Sequence, residues 1–134
     1  MLSRIIYILI SIKLSVRFDN MKKRLISSYD EESDTFVGKV EGEKGYCADY
    51  GISEGIYLGV NNSHLPASII IPNASKVFNT SKTILESADV KIGIVCDEAC
   101  LTFSMCVEDL KIFSAKCRNS FGIPKIDYLM DSNI

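Results

Sequence analysis

"YDEESDTFVGKV", running from Tyr29 to Val40, is the stretch whose reading decides the fold. Asp30, Glu31, Glu32 and Asp34 place four acids within five residues, and an apolar, strand-like run follows. "RLISSYD" before it and "DTFVGKVE" after it have the make-up of two short strands, with Glu31-Glu32-Ser33 as a polar turn. A hairpin of this kind carries its acidic side chains at the tip, where water solvates them. The competing reading is a calcium loop. Counting from Asp30, the residues Glu32, Asp34 and Glu41 fall at positions three, five and twelve of an EF-hand. Position six is Thr35, where that loop needs glycine for its sharp turn, and Phe36-Val37 continue as a strand rather than a second helix. The hairpin is the better reading.

Working outward, "EGEKG" is a loop by its glycines and charges, and "YCADYG" a short strand. "EGIYLGV" and "LPASIII" flank "NNSH" as a second hairpin, since asparagine tolerates the left-handed backbone of such turns. Pro66 lacks an amide donor, which predicts that its strand lies at a sheet edge. Asn73 is a helix-cap candidate, and Ala74, Val77, Phe78, Ile84, Leu85 and Ala88 recur at helical spacing. The polar Asn79-Thr80-Ser81 divides that segment into a turn and a second helix starting near Thr80. Strands resume with "VKIGIVC", "ACLTFSMCV" and "LKIFSAKC", joined by "DE" and "ED" turns, and the tail is partly extended. The expected fold class is α+β, an antiparallel β-meander of hairpins with one helix packed on the sheet. No Gly-, Ser- or Pro-rich linker divides residues 21–134, which read as one domain.

Residues 1–20 stand apart as a basic and apolar leader. "IIYILISI" (Ile5–Ile12) is cut off by Lys13, far short of the ~20 apolar residues a spanning helix requires. From Ile10 to Asp19 apolar and polar residues alternate, the period of a half-buried strand. Met21 begins "MKKRLISSYD", which reads as a protein start, so the leader is expected to be an extension upstream of it. Residues 1–24 hold six basic side chains and one acid, a charge of +5, which leaves −7 on residues 25–134 of a chain whose total is −2. An acidic body of this kind argues against a dedicated nucleic-acid binder. Five cysteines, an odd number without an export signal, point to a reducing cytoplasm.

Two quoted segments together resemble a small family of prokaryotic domains of unknown function. Its members open with Tyr-Asp-x-x-x-Asp and a short strand, matched by "YDEESDTF". They continue with a Gly-Ile strand, a hairpin turn and a closing Asn/Asp-Ala-Ser, matched by "EGIYLGVNNSHLPASIIIPNAS". The resemblance covers about residues 24–78 and implies a β-meander followed by a helix. It supplies no catalytic residue. Some relatives look like small partner-binding proteins of the antitoxin sort. Gly38 departs from the pattern, because the family prefers a bulky strand residue there.

Chemistry has few places to reside. Cys96, Cys100, Cys106 and Cys117 are spaced Cys-x3-Cys-x5-Cys-x10-Cys, without the Cys-x2-Cys knuckles of a zinc ribbon. Cys100 and Cys106 lie six residues apart on one strand, roughly 20 Å, too far for two ligands of one ion. His64 is the single histidine, so any Cys-His or Ser-His mechanism depends on it, yet it sits in a turn where a polar residue is expected anyway. Lys22-Lys23-Arg24 reads as the solvated entrance of a strand. No catalytic residue, metal ligand or cofactor is assigned. The expected function is that of a non-enzymatic cytoplasmic domain acting by protein–protein binding or self-association, with no nucleic-acid partner and no transmembrane segment. The alternative is a metal- or small-ligand-binding protein or enzyme using the acidic tip or the cysteine-rich second half.

Overall fold

The computed structural model describes residues 20–43 and 45–134, so the readings made for the leader lie outside the described residues. Among the described residues nine strands form one sheet: β1 (Asn20–Asp30), β2 (Thr35–Val40), β3 (Ala48–Ser53), β4 (Ile56–Val60), β5 (Pro66–Ile71), β6 (Val90–Cys96), β7 (Cys100–Val107), β8 (Leu110–Arg118) and β9 (Ile126–Asp131). Their order across the sheet is β3-β4-β5-β2-β1-β9-β6-β7-β8. The two end strands, β3 and β8, curl round to within 8 Å of each other without pairing, so the sheet is a nearly closed barrel.

This corrects the expected α+β fold and the single helix packed on a meander. The described chain is 56% strand and 7% helix. Among the described residues there are two helices, α1 (Ala74–Val77) and α2 (Lys82–Leu85), each of a single turn. The predicted break between them is real: Asn79 takes a left-handed φ of 50° and ends the first. The apolar spacing that suggests a long helix instead delivers Ala74, Phe78 and Leu85 singly into the core. Four-residue helices cannot cover a sheet; the sheet covers itself.

Alternation with period two explains why the barrel fills. Phe36, Gly38 and Val40 of β2, Val90, Ile92, Ile94 and Cys96 of β6, and Leu101, Phe103, Met105 and Val107 of β7 all point inward and are buried. Ile126, Tyr128 and Met130 do the same from β9. A Cβ on Gly38 would lie 2.9 Å from Leu25 Cδ1, so Leu25 occupies the space that a bulky residue would claim there.

The predicted hairpins are present. β1 pairs antiparallel with β2 (Tyr29 opposite Phe36), β4 with β5, and β6, β7 and β8 in succession. Glu108 and Asp109 both adopt positive φ at the β7–β8 turn, the handedness that a two-residue hairpin loop requires. Pro66 does not mark an edge strand. β5 lies between β4 and β2, and Pro66 is tolerated because it is the first residue of its strand, at an irregularity opposite Val60. The pairing that no local pattern announces is parallel. Asn20–Arg24 of β1 run beside Asp127–Asp131 of β9, while the rest of β1 pairs with β2, so β1 splices two half-sheets together. Among the described residues no helix is long and apolar enough to cross a membrane.

Candidate functional site: an open seam and its surroundings

The acids of the opening stretch separate on folding. Asp30 stays at the exposed tip, where its carboxylate accepts hydrogen bonds from the Glu32 amide (3.1 Å) and the Ser33 hydroxyl (2.9 Å). Glu31 and Glu32 are exposed as well. Asp34 turns the other way, with φ 54° and 8% of its surface exposed. The Tyr29 hydroxyl donates to its Oδ1 at 2.6 Å, the Ser75 amide to the same oxygen at 3.0 Å, and the Ser75 hydroxyl to Oδ2 at 2.6 Å. The wet-tip reading therefore fails at Asp34. Its inward turn serves the backbone: Asp34 supplies the cap that Asn73, itself left-handed and without a side-chain cap bond, does not give to α1. The Asp34 carbonyl also accepts from the Ala74 amide at 2.8 Å. The first amides of a helix have no partner within the helix, and a carboxylate is well suited to them.

Burial on its own raises the pKa of the Asp34 carboxyl, but the hydrogen bonds from Ser75 and Tyr29 outweigh it and hold the group below its ordinary 3.8. Burial, then the hydrogen bond to Asp34 and its charge, push the Tyr29 phenol above its ordinary 10.0. Glu41 of the calcium-loop pattern is elsewhere, paired with Arg24 at 3.1 Å. The four positions of that pattern do not converge.

Nor do the four cysteines of the second half. Cys96 and Cys117 both face Leu101 from opposite sides, inside the barrel. Cys100 and Cys106 lie outward at opposite ends of β7. Among the described residues no three His, Cys, Asp or Glu side chains gather as metal ligands would. Burial, with Cys117 and Asp97 nearby, pushes the Cys96 thiol up to about 12. With a thiol reagent at mildly alkaline pH, exposed Cys47 is expected to react promptly and Cys96 only on unfolding. Prompt modification of Cys96 in the native protein, followed by peptide mapping, would contradict its burial.

Cys47 is the thiol that the sequence reading passed over, and the structure sets it beside the only histidine. Its Sγ lies 4.0 Å from His64 Nε2, across 17 residues. Asn61 builds the turn that presents His64: its Oδ1 accepts from the Ser63 and Leu65 amides, and its Nδ2 donates to Glu43 at 2.7 Å. His64 has φ 60°, and its Nδ1 is buried with no hydrogen-bond partner among the described residues. A catalytic Cys-His pair needs a group that holds the ring through that nitrogen, as the third member of a triad does. Among the described residues no such group reaches Nδ1 of His64, so the pair lacks the third member. The spacing in sequence gives no sign of this contact.

A second overlooked pattern is Gly51-Ile52-Ser53-Glu54-Gly55, which has the spelling of a Gly-x-Ser-x-Gly nucleophile elbow. An elbow is a strand-to-helix turn. These residues instead end β3 and form its hairpin turn into β4, with Gly55 at φ 78°. The elbow geometry is absent.

What remains is the seam between β3 and β8. At one end the rings of Tyr50 and Phe121 stack at 4.9 Å and clasp the two sides. At the other the seam widens into a cleft of about 580 Å³, whose walls include Ser53, Tyr57, Pro72, Lys76, Val77 and Phe113. Phe113 joins this cleft to the core, 5.2 Å from the Phe78 ring and 6.1 Å from the Phe103 ring. Among the described residues β8 pairs with β7 alone, so the backbone groups of its other edge have no ladder partner there. Neither a family model, nor a curated protein, nor a solved structure matches the chain.

Proposed function

We propose that this protein is a non-enzymatic, cytoplasmic domain that works by binding another protein, and that the partner docks at the β3–β8 seam. The observation that carries the reading is a barrel that, over the described residues, stops one pairing short of closure. It leaves a strand edge and an adjoining cleft in the same place, and the cleft walls mix Tyr57, Pro72, Val77 and Phe113 with polar Ser53, Glu54, Asn73 and Lys76. Unpaired edges recruit strands, and natural proteins normally cover or blunt them. The antitoxin-like role implied by the family resemblance is one form of this activity. Self-association is another, with the second copy as partner. Reduced cysteines support the cytoplasmic placement.

The test is photocrosslinking in the native cell, with a photoreactive phenylalanine analogue at position 113 and, for comparison, at the exposed Val95 on the outside of β6. A discrete adduct from position 113 alone is the expected result, and its mass distinguishes a foreign partner from a second copy. No adduct from 113, or the same adduct from both positions, would refute docking at the seam.

The alternative of a metal- or small-ligand-binding protein draws on one observation, the Cys47–His64 pair. Stoichiometric metal in purified protein, lost on Cys47→Ser, would favour it.

A further inference from the structure

This inference rests on the partner-binding reading and concerns the chemistry of the partner. β8 departs from the other eight strands in its burial. Each of those holds at least one buried side chain, whereas β8 holds none. Phe113 and Cys117 lie opposite the inward-facing Met105 and Leu101 of β7, and Ala115 opposite Phe103, so all three point toward the core. They are nonetheless only half-buried: β3 approaches on the seam side, but no described strand pairs with β8 there.

The outward row of the same strand is basic. Lys111, Lys116 and Arg118 lie opposite the outward-facing Cys106, Thr102 and Cys100, and all three are exposed. Among the described residues none of the three forms an ion pair. Lys116 is near enough to help hold the Asp97 carboxyl low, behind the amides of Cys100 and Ala99, but does not pair with it. These cations belong to a body that is otherwise strongly acidic.

We propose that β8 receives an extended segment of the partner in which acidic and apolar residues alternate, inserted as a tenth strand between β8 and β3. A strand added at ~4.8 Å from β8 places alternate side chains on the two faces of the sheet. One set covers Phe113, Ala115 and Cys117 and completes the core. The other lies beside Lys111, Lys116 and Arg118, where opposite charges on neighbouring strands stabilise the pairing. The Phe113 cleft receives an apolar residue at the end of the segment. Insertion needs β3 and β8 ~9.6 Å apart, two strand spacings, so the seam opens slightly. Among the described residues no hydrogen-bonded ladder has to break, and the clasp to be loosened is the Tyr50–Phe121 stack.

The probe is a fluorescent Glu-Val-Glu-Val-Glu-Val-Glu peptide titrated into the full chain, with fluorescence polarisation for affinity and amide hydrogen exchange for location. Binding that weakens with salt and slows exchange of the β8 amides is expected. A central Val→Pro version of the peptide, lacking one ladder donor, should bind less well. The double variant Lys116→Glu/Arg118→Glu, altered only at exposed positions, should bind the peptide about 10-fold less well and prefer Lys-Val-Lys-Val-Lys-Val-Lys. The proposal is overturned by a wild-type chain that ignores the acidic peptide. Binding without protection of β8, or equal competition by a short single-stranded DNA, overturns it as well. If the position-113 crosslink captures a partner through a segment without this alternation, the inference falls and the docking reading survives. If neither crosslink nor peptide responds, both fall.

Discussion

Replacing Asp34 with alanine is expected to destabilise the protein by about 3–5 kcal/mol, because three hydrogen bonds converge on one buried, charged acceptor. The loss has two sources. The Tyr29 hydroxyl and both donors of Ser75 are left without a partner, and alanine is less at ease than aspartate at φ 54°. Asp34→Asn tolerates that backbone and keeps most of the hydrogen bonds, so about 1–2 kcal/mol is expected. The two variants also differ from wild type in pH dependence. The folded pKa of Asp34 lies below its ordinary 3.8, so its contribution is complete above about pH 4 and is lost as the pH falls through the folded value. Tyr29 has the opposite sign. Its folded pKa lies above 10.0, so its contribution is complete below pH 10 and is lost as the pH rises further. Urea unfolding across pH should therefore show Asp34→Asn flattening the acid limb and Tyr29→Phe flattening the alkaline one. An acid limb unchanged in Asp34→Asn would mean that Asp34 is not the group whose protonation matters.

The second large effect separates folding from binding within one aromatic group. Phe103 is 1% exposed, and Phe103→Ala should cost about 3–5 kcal/mol through the cavity it leaves, lowering the melting temperature by roughly 10–20 °C. Phe113, one strand away and half-buried at the seam, has less to lose. Phe113→Ala should cost about 1–2 kcal/mol, retain the native circular dichroism spectrum and lose partner binding. Equal melting temperatures for the two variants would contradict the graded burial. A Phe113→Ala protein that still binds would remove the cleft from the docking surface.

Sequence by itself determined the strands and most of their turns. Alternation over Phe36–Val40, Val90–Cys96 and Cys100–Val107 is a local property of an extended chain with one buried face. The turns at Glu31-Glu32-Ser33, Asn61–Leu65 and Glu108-Asp109 carry residues suited to their backbone. Local pattern misled at residues 73–88, where apolar residues at helical spacing belong to two separate turns. Tertiary structure alone decided that β1 joins β9 in parallel, that Asp34 faces Ser75 across 41 residues, and that Cys47 meets His64. It also decided that one edge of β8 has no ladder partner among the described residues. A side chain's face follows from its neighbours in the chain, whereas its partner across the sheet is chosen by closure of the whole barrel, which no window of sequence contains.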